Sequence, residues 1–165
     1  MEIIKVGIES IPLIQHIAKI TWTIAYKDII TNEQLEYMLE KMYSTDSLQH
    51  QIQVQEHQFI LANFENKSVG FASFNFKQTI PRKIVKLHKI YVDPSQQGKG
   101  IGKSMLRFIM TEISLEEVNY LELNVNRQNI AVGFYKKLGF NIVAEEDISI
   151  GNGFFMNDYV MQISC

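Results

Sequence analysis

The first third of the chain changes from strand periodicity to helical periodicity. Residues 2–7 alternate apolar and polar side chains, which predicts a strand. Ser10 with Pro12 just after it predicts the start of a helix. Residues 31–34 match a capping box and predict a second helix. A weaker third helix is predicted over residues 44–54. The apolar faces of the first two helices consist of Ile14, Ile17, Ala18 and Thr21, and of Leu35, Met38, Leu39 and Met42.

The middle of the chain predicts a β-meander. Residues 59–62 and 69–74 are rich in β-forming side chains, and the polar residues 65–68 between them indicate a hairpin. A polar loop around residues 81–83 is followed by alternation over residues 84–92, a third strand. Asp93-Pro94 ends this strand, because proline cannot continue a central ladder.

The last part of the chain alternates helices with strands. A helix begins near Ile101, a strand covers residues 120–125, and a short helix over residues 129–138 is stopped by Gly139. Two final strands, residues 141–150 and 154–163, are joined by Gly151-Asn152-Gly153, a strong hairpin signal. The resulting order, β-α-α-(α)-β-β-β-α-β-α-β-β, predicts an α/β protein of the α+β type with a mixed sheet. It is expected to form one domain over residues 1–165.

Composition excludes several classes of partner. The 165 residues are 46% hydrophobic and 21% charged, with a formal net charge of -2, so no nucleic acid or membrane partner is expected. A single cysteine, Cys165, and four scattered histidines predict no disulfide and no metal site. These features favour a reducing compartment, and we expect a cytoplasmic protein.

The most distinctive stretch is QQGKGIGKS, residues 96–104, between a predicted strand and a predicted helix. Helix N-terminal amides and glycines suit an anion, since they allow a phosphate to approach the backbone closely. The stretch departs from a nucleotide-triphosphate loop by one residue, because the required first glycine falls on Gln97. A dinucleotide fingerprint that starts at Gly98 is excluded because its third glycine falls on Lys103.

Gln97, Gly100 and Gly102 instead fit the pattern Gln/Arg-x-x-Gly-x-Gly/Ala. The strand segment LHKIYVDP precedes this loop, and NIAVGFYKKLGF follows it at residues 129–140. Together with Trp22-Thr23-x-Ala25-Tyr26 and Asp158-Tyr159-x-Met161, these segments resemble the GCN5-related N-acetyltransferases (GNAT family) along essentially the whole chain. The resemblance implies a mostly antiparallel sheet, splayed in the middle and flanked by helices.

The resemblance also implies acetyl-CoA as co-substrate and no metal. The pyrophosphate is expected at the loop amides, and the pantetheine arm is expected along the backbone of the strand before the loop. The candidate acetyl-CoA-binding residues are Ile90, Tyr91, Val92, Gln97, Gly98, Lys99, Gly100, Ile101, Gly102, Lys103, Ser104, Asn129 and Tyr135.

The implied chemistry is direct acetyl transfer to an amine in a ternary complex. Tyr135 occupies the position of the family's general acid, which protonates the departing thiolate; periodicity alone makes it a core tyrosine beside Phe134. His88 stands where many family members carry a glutamate base. Glu122 and a water chain are the alternative bases.

The acceptor pocket is expected between the first two helices and the final hairpin. Trp22, Tyr26 and Glu33 are its candidate contacts, with Asp28 and residues 154–159 nearby. Aromatic and acidic groups suit a polyamine or another small cationic amine, and a protein N-terminus is the second expectation. Residues 102–104, GKS, keep an ATP or GTP enzyme as a third class, and a non-catalytic acyl-CoA-binding module also stays open. The C-terminal strands suggest a homodimer.

Overall fold

The computed structural model describes residues 1–77 and 83–165, so the predicted loop around residues 81–83 lies largely outside the described residues. The helices are α1 (Ile11–Ala25), α2 (Asn32–Tyr43), α3 (Thr45–Gln53), α4 (Ile101–Ile113) and α5 (Ala131–Lys137). The strands are β1 (Glu2–Val6), β2 (Gln58–Phe64), β3 (Lys67–Lys77), β4 (Ile84–Val92), β5 (Tyr120–Asn126), β6 (Asn141–Gly151) and β7 (Phe154–Ser164).

All seven strands form one sheet in the order β1-β2-β3-β4-β5-β7-β6. Every neighbouring pair is antiparallel except β4 and β5, which are parallel and are connected through α4. This confirms the predicted mixed, mostly antiparallel sheet. Strand β6 forms one edge and is exposed, so its pairing between subunits stays a prediction.

Helices cover the sheet on both faces and form two separate cores. On one face α4 packs its apolar stripe, including Met105 and Ile109, against β2 to β5. On the other face α1, α2 and α3 bury Ile14, Trp22 and Leu48 against β2 and β3. The helical stripes predicted from spacing are therefore the core faces.

One extra residue in β4 opens the sheet in its middle. Ser73 of β3 pairs with Lys89, and the next residue of β3, Phe74, pairs with Leu87, so His88 is the additional residue of a β-bulge. Strands β4 and β5 pair from Ile84–Tyr120 to Leu87–Leu123. Beyond the bulge they separate, which leaves one side of β4 without β5 as a partner. The predicted splay is thereby confirmed.

Side chains of α2 hydrogen-bond to the final hairpin, which is formed by β6 and β7. Its turn residues Asn152 and Gly153 both have positive φ, as the predicted Asn-Gly turn requires. The Tyr37 hydroxyl donates to the Ile150 carbonyl at 3.0 Å. The capping box is only half formed: Gln34 N–H donates to Thr31 Oγ1, but the Gln34 side chain donates to Phe155 O at 2.9 Å. The side chain expected to close the box instead binds the hairpin.

Gly70 is a close-packing position where we expect substitution to destabilise the fold. A Cβ at this residue would lie 2.8 Å from the Tyr91 carbonyl and 3.3 Å from Met105 Cε. Gly70→Ala should lower the free energy of unfolding by about 1–3 kcal/mol, measured by urea denaturation. Gly133→Ala in α5 meets no atom within 4 Å and should be neutral or slightly stabilising. Equal stability of the two variants would contradict this interpretation.

Candidate active site

The gap between β4 and β5 continues into a cavity of about 790 Å³. Its walls come from the end of α1, both parted strands, the glycine loop and α5. A cavity of this size is typical of sites for small molecules and cofactors. The lining side chains and backbone belong to residues 21, 24–26, 28–29, 87–92, 94, 96–98, 100–103, 123–125, 128–131 and 134–135.

One end of the cavity is formed by the N-terminus of α4. Gly100 is the N-cap in a left-handed conformation, with φ of 77°, and no side chain caps the helix. The first intrahelical bond of α4 runs from Ser104 N–H to Gly100 O. The amides of residues 101–103 therefore precede the helical ladder and suit a phosphate. Gly102 allows close packing, because a Cβ there would lie 3.4 Å from Phe134 Cζ.

The structure brings most of the predicted loop residues to the cavity, but not all. Those that line it are Gln97, Gly98, Gly100, Ile101, Gly102 and Lys103. Lys99 is placed elsewhere: its Nζ donates to Gln96 Oε1 at 2.7 Å and lies 5.0 Å from the centre of the Phe64 ring. Ser104 is also outside the lining. Neither residue lines the cavity, and the predicted contact of each with acetyl-CoA stays a prediction.

Strand β4 supplies the second wall. Ile90, Tyr91 and Val92 all line the cavity after the bulge. The Tyr91 ring packs into the core that α1, α2 and α3 form with the sheet. It lies 5.9 Å from the Trp22 ring and 5.6 Å from the Phe71 ring. The contribution of Tyr91 to the cavity is therefore mainly its backbone, as predicted for a strand that pairs with an extended ligand.

Tyr135 lies on α5 at the opposite wall and is 7% exposed. Its ring stands edge-on to those of Phe134 and Phe140 at 5.3 and 5.6 Å. Burial, together with the nearby Tyr26, raises the pKa of Tyr135 above its usual value, so the hydroxyl keeps its proton at neutral pH. This side chain can donate a proton inside the cavity.

Asn129 lies at the entry to α5. Its Oδ1 accepts from Ala131 N–H at 2.8 Å, which is the predicted capping role. The helix itself begins at Ala131, later than the predicted start at residue 129. Asn129 also lines the cavity, and its contact with acetyl-CoA stays a prediction.

Of the three predicted acceptor contacts, the structure places only Tyr26 in the cavity. Trp22 is 1% exposed and packs between Tyr26, Tyr43 and Tyr91, inside the helical core. Glu33 is exposed on the first turn of α2 and is not part of the lining. Asp28, at the end of α1, does line the cavity.

Tyr26 links the two walls electrostatically. Burial raises its pKa, a hydrogen bond from Tyr91 lowers it, and the charge of Asp158 adds to the rise. Tyr26 in turn raises the pKa of Tyr135. The hydroxyl of Tyr26 therefore interacts electrostatically with both the predicted general acid and a carboxylate on β7.

His88 is in the lining, but its ring is engaged elsewhere. It stacks on His57 at 4.0 Å, and its Nε2 lies 2.8 Å from Asn75 Oδ1. Desolvation, then the neighbouring His57 and Lys89, lower the pKa of His88. The ring stays neutral at pH 7 but binds a proton weakly, which disfavours it as the base that takes a proton from an ammonium ion.

Glu122, the alternative base, is held by three donors. Lys77 and Lys86 each donate to Oε1 at 2.9 Å, and Gln162 donates to Oε2 at 2.7 Å. Burial raises its pKa, but hydrogen bonds from Gln162, Lys77 and Lys86 outweigh burial and hold it at about 2. Such a carboxylate is a poor proton acceptor, and its contacts are those of a structural ion pair.

Glu122→Gln is expected to destabilise the protein in a pH-dependent manner. The folded-state pKa lies below the ordinary value of 4.5, so the carboxylate stabilises the fold above about pH 4.5. That contribution is lost as the pH falls through about 2. The variant should lose about 1–3 kcal/mol at pH 7, measured by urea denaturation. The difference from the wild type should shrink between pH 4.5 and pH 2; a difference that is constant with pH would contradict the assignment.

Sequence reasoning missed the burial of Asp158. This residue of β7 is 7% exposed, and its Oδ1 has no hydrogen-bond partner among the described residues. Its pKa is raised to about 6, because the effect of burial outweighs the opposite effects of Asn124 and Lys86. The sequence places Asp158 in a segment of alternating residues, and alternation does not show which face of a strand is buried.

No helix in the described ranges is long and apolar enough to cross a membrane. Across residues 1–77 and 83–165, no three histidine, cysteine, aspartate or glutamate side chains come close enough to hold a metal ion.

The family model, relatives and solved structure that this chain resembles are all acetyltransferases. Residues 26–163 match a family model described as an acetyltransferase (GNAT) domain. The spermidine N(1)-acetyltransferase of Thermoplasma acidophilum is 29% identical over 149 residues, which are 86% of this chain and 89% of that protein. The peptidyl-lysine N-acetyltransferase YjaB of Escherichia coli is 37% identical over 91 residues, covering 54% of this chain and 53% of that protein. The crystal structure of the PaiA N-acetyltransferase of T. acidophilum with coenzyme A superposes with a TM-score of 0.83 at 24% identity, covering 99% of this chain and 98% of that one.

Proposed function

The chain belongs to the GNAT family of acetyltransferases, and from this premise we propose that it transfers the acetyl group of acetyl-CoA directly to a primary amine. The favoured acceptor is a polyamine or another small cationic amine. One observation carries the proposal: the uncapped start of α4, the unpaired side of β4 and the buried hydroxyl of Tyr135 all meet in a single cavity.

The cavity's residues fit acetyl-CoA, which supplies the activated acetyl group as a thioester. The amides of residues 101–103 suit its pyrophosphate because no side chain of the described residues caps them. Lys103 adds a positive charge at the same place. The β4 backbone after Leu87 lacks β5 as a partner, so it can hydrogen-bond an extended pantetheine arm as a further strand would.

Tyr135 supplies the proton for the leaving group in this proposal. A thiolate gains from protonation as it departs, and the raised pKa of Tyr135 keeps the donor form present at neutral pH. In this proposal a β4 amide beside the bulge stabilises negative charge on the thioester oxygen. The ring contacts with Phe134 and Phe140 hold the Tyr135 hydroxyl in position.

Negatively charged side chains near the expected position of the acceptor support a cationic acceptor. Asp28 lines the cavity, and the negative charge of Asp158 raises the pKa of Tyr26, which also lines it. The spermidine acetyltransferase that this chain resembles over most of its length is named for a cationic substrate. YjaB, named for peptidyl-lysine, makes a peptide the second acceptor to test.

The experiment is a turnover screen with acetyl-CoA against polyamines, amino acids and peptides, read out as release of free thiol. We expect the highest kcat/KM for a polyamine, with thiol release matched by one acetylated amine per turnover. A peptide as the best substrate would replace the polyamine in this proposal. Tight CoA binding without thiol release for any amine would instead indicate a non-catalytic acyl-CoA-binding module. Magnesium-dependent binding of ATP or GTP tighter than that of CoA would overturn the proposal.

A further inference from the structure

Asp158 carries a buried negative charge that the protein leaves incompletely paired. The residue is 7% exposed, and its Oδ1 has no hydrogen-bond partner. Five buried side chains of the described ranges have such a polar atom, and Asp158 is the only carboxylate among them. Leaving a buried carboxylate oxygen unpaired is costly, so Asp158 requires an explanation beyond its packing.

This carboxylate lies beside the cavity. Its charge raises the pKa of Tyr26, and Asn124 lowers the pKa of Asp158. Tyr26 and Asn124 both line the cavity. Asp158 itself is outside the cavity lining, but Asn124 donates to Glu146, the cross-strand partner of Asp158, at 3.0 Å, so a ligand that contacts Asn124 lies next to this pair.

A second carboxylate lies directly across from Asp158. Glu146 of β6 is its cross-strand partner, is exposed, and accepts from Asn124 Nδ2 at 3.0 Å. Directly opposed side chains have Cβ atoms about 4.5–5.5 Å apart, and like charges in that arrangement repel. A dication whose ammonium groups are joined by a short methylene chain would relieve this repulsion.

The cations around Asp158 are already bound by other carboxylates. Lys86 donates to Glu122 at 2.9 Å and also to Asn124. Arg127 pairs with Glu145 at 3.1 Å and with Asp147. Asp158 and Glu146 therefore remain a locally negative pair at the acceptor side of the cavity.

We propose that Asp158 binds the reacting ammonium group of the acceptor and accepts its proton, while Glu146 binds a second ammonium group of the same molecule. This assignment rests on the proposed acetyl transfer and narrows its acceptor to a diamine or polyamine. Asp158 would be the catalytic base, in place of His88 and Glu122, whose contacts occupy them elsewhere.

Asp158, Tyr135 and water account for every proton transferred in the proposed reaction. One ammonium proton moves to Asp158, the amine nitrogen bonds to the acetyl carbonyl carbon, and the carbon–sulfur bond breaks. Tyr135 donates its proton to the departing sulfur, and the second proton lost by nitrogen returns to Tyr135 directly or through water. Asp158 then releases its proton to solvent, and the acetylated amine and free CoA thiol leave.

The wild-type pH profile gives the first test, since it needs no variant. The pKa of Asp158 is raised to about 6, mainly by burial; Asn124, Lys86 and Arg127 lower it and Glu146 raises it. Protonation abolishes both proposed roles, so kcat/KM for the amine should fall as the pH drops through about 6 at saturating acetyl-CoA. The pKa values of His57 and His88 are lowered, so neither ring titrates in this range.

Three variants separate the two roles. Asp158→Asn should lower kcat/KM about 10- to 50-fold for a diamine and for the monoamine of equal length. It should also remove the acidic limb of the pH profile, which is the fall of kcat/KM as the pH drops through about 6. Hydroxylamine, which is neutral at the assay pH, should react with this variant nearly as well as with the wild type. Glu146→Gln should lower kcat/KM about fivefold or more for the diamine only. Glu145→Gln is the matched control, because it removes the same charge on the other face of β6 and should change neither rate by more than about twofold.

Calorimetry with CoA shows whether each variant keeps its fold. Asp158→Glu retains the carboxylate, so its pH profile should keep an acidic limb. An unchanged rate in Asp158→Asn, or an acidic limb that survives in it, would overturn the role of Asp158. Equal losses for monoamine and diamine in Glu146→Gln would overturn the role of Glu146. If the wild type acetylates no amine at all, the proposed function fails instead.

Discussion

Replacing Tyr135 by phenylalanine is expected to lower kcat by about 10²- to 10³-fold, the range typical of a lost general acid. The change removes one oxygen and keeps the ring contacts with Phe134 and Phe140. The dissociation constant of CoA, measured by calorimetry, should stay within about twofold of the wild type, because CoA binding does not depend on the lost proton. A large loss in kcat at unchanged affinity would identify a group that acts in the chemical step.

The matched control is Tyr43→Phe. This tyrosine is also buried, and its hydroxyl has no hydrogen-bond partner among the described residues. It lies in the core between the helices and the sheet, outside the cavity lining. The same atom is removed in both variants, so a kcat of Tyr135→Phe no lower than that of Tyr43→Phe would exclude Tyr135 as the acid.

Gly100→Asp is expected to weaken CoA binding about 10²- to 10³-fold, measured by calorimetry. Gly100 has φ of 77°, which aspartate and asparagine tolerate better than other side chains. An aspartate at this N-cap would place its carboxylate against the amides that we assign to the pyrophosphate, and its charge would repel the phosphates. A Cβ at this position meets no atom within 4 Å, so the effect should be on binding rather than on folding.

Gly100→Asn separates charge from shape. Asparagine has nearly the same size as aspartate and the same tolerance of positive φ, but no charge. We expect about a tenfold loss of affinity for this variant, or less. Equal losses for the two variants would show that repulsion of an anion is not the cause, and unchanged binding in both would remove this loop from the CoA site.

The sequence predicted the parts of the site that depend on local order along the chain. The glycine loop was found because its residues are contiguous and are followed by the apolar stripe of α4. Tyr135 and Asn129 were found because they lie in one motif. Both regions line the same cavity, since parallel pairing of β4 and β5 brings the segments that follow them together.

The parts that were missed depend on contacts between distant segments. Trp22 was assigned to the acceptor because an aromatic residue on an amphipathic helix looks the same whether it faces a pocket or a core; the rings of Tyr43 and Tyr91 decide for the core. Asp158 is buried because β7 lies between β5 and β6, an order that no local pattern shows. The contact of Lys99 with acetyl-CoA stays a prediction; in the structure its Nζ lies at Gln96 and over the Phe64 ring.

The cleft between β4 and β5 depends on the number of residues in β4 and not on which side chain stands at position 88. Strand β4 has one more residue than the matching part of β3, and the gap from β5 starts at that point. An alanine or a glutamate at position 88 would keep this count and with it the opening. Loss of the residue would bring β4 back into even register and close the gap along which acetyl-CoA is proposed to bind. Such a protein would keep every side chain assigned to the chemistry and lose the space in which they act.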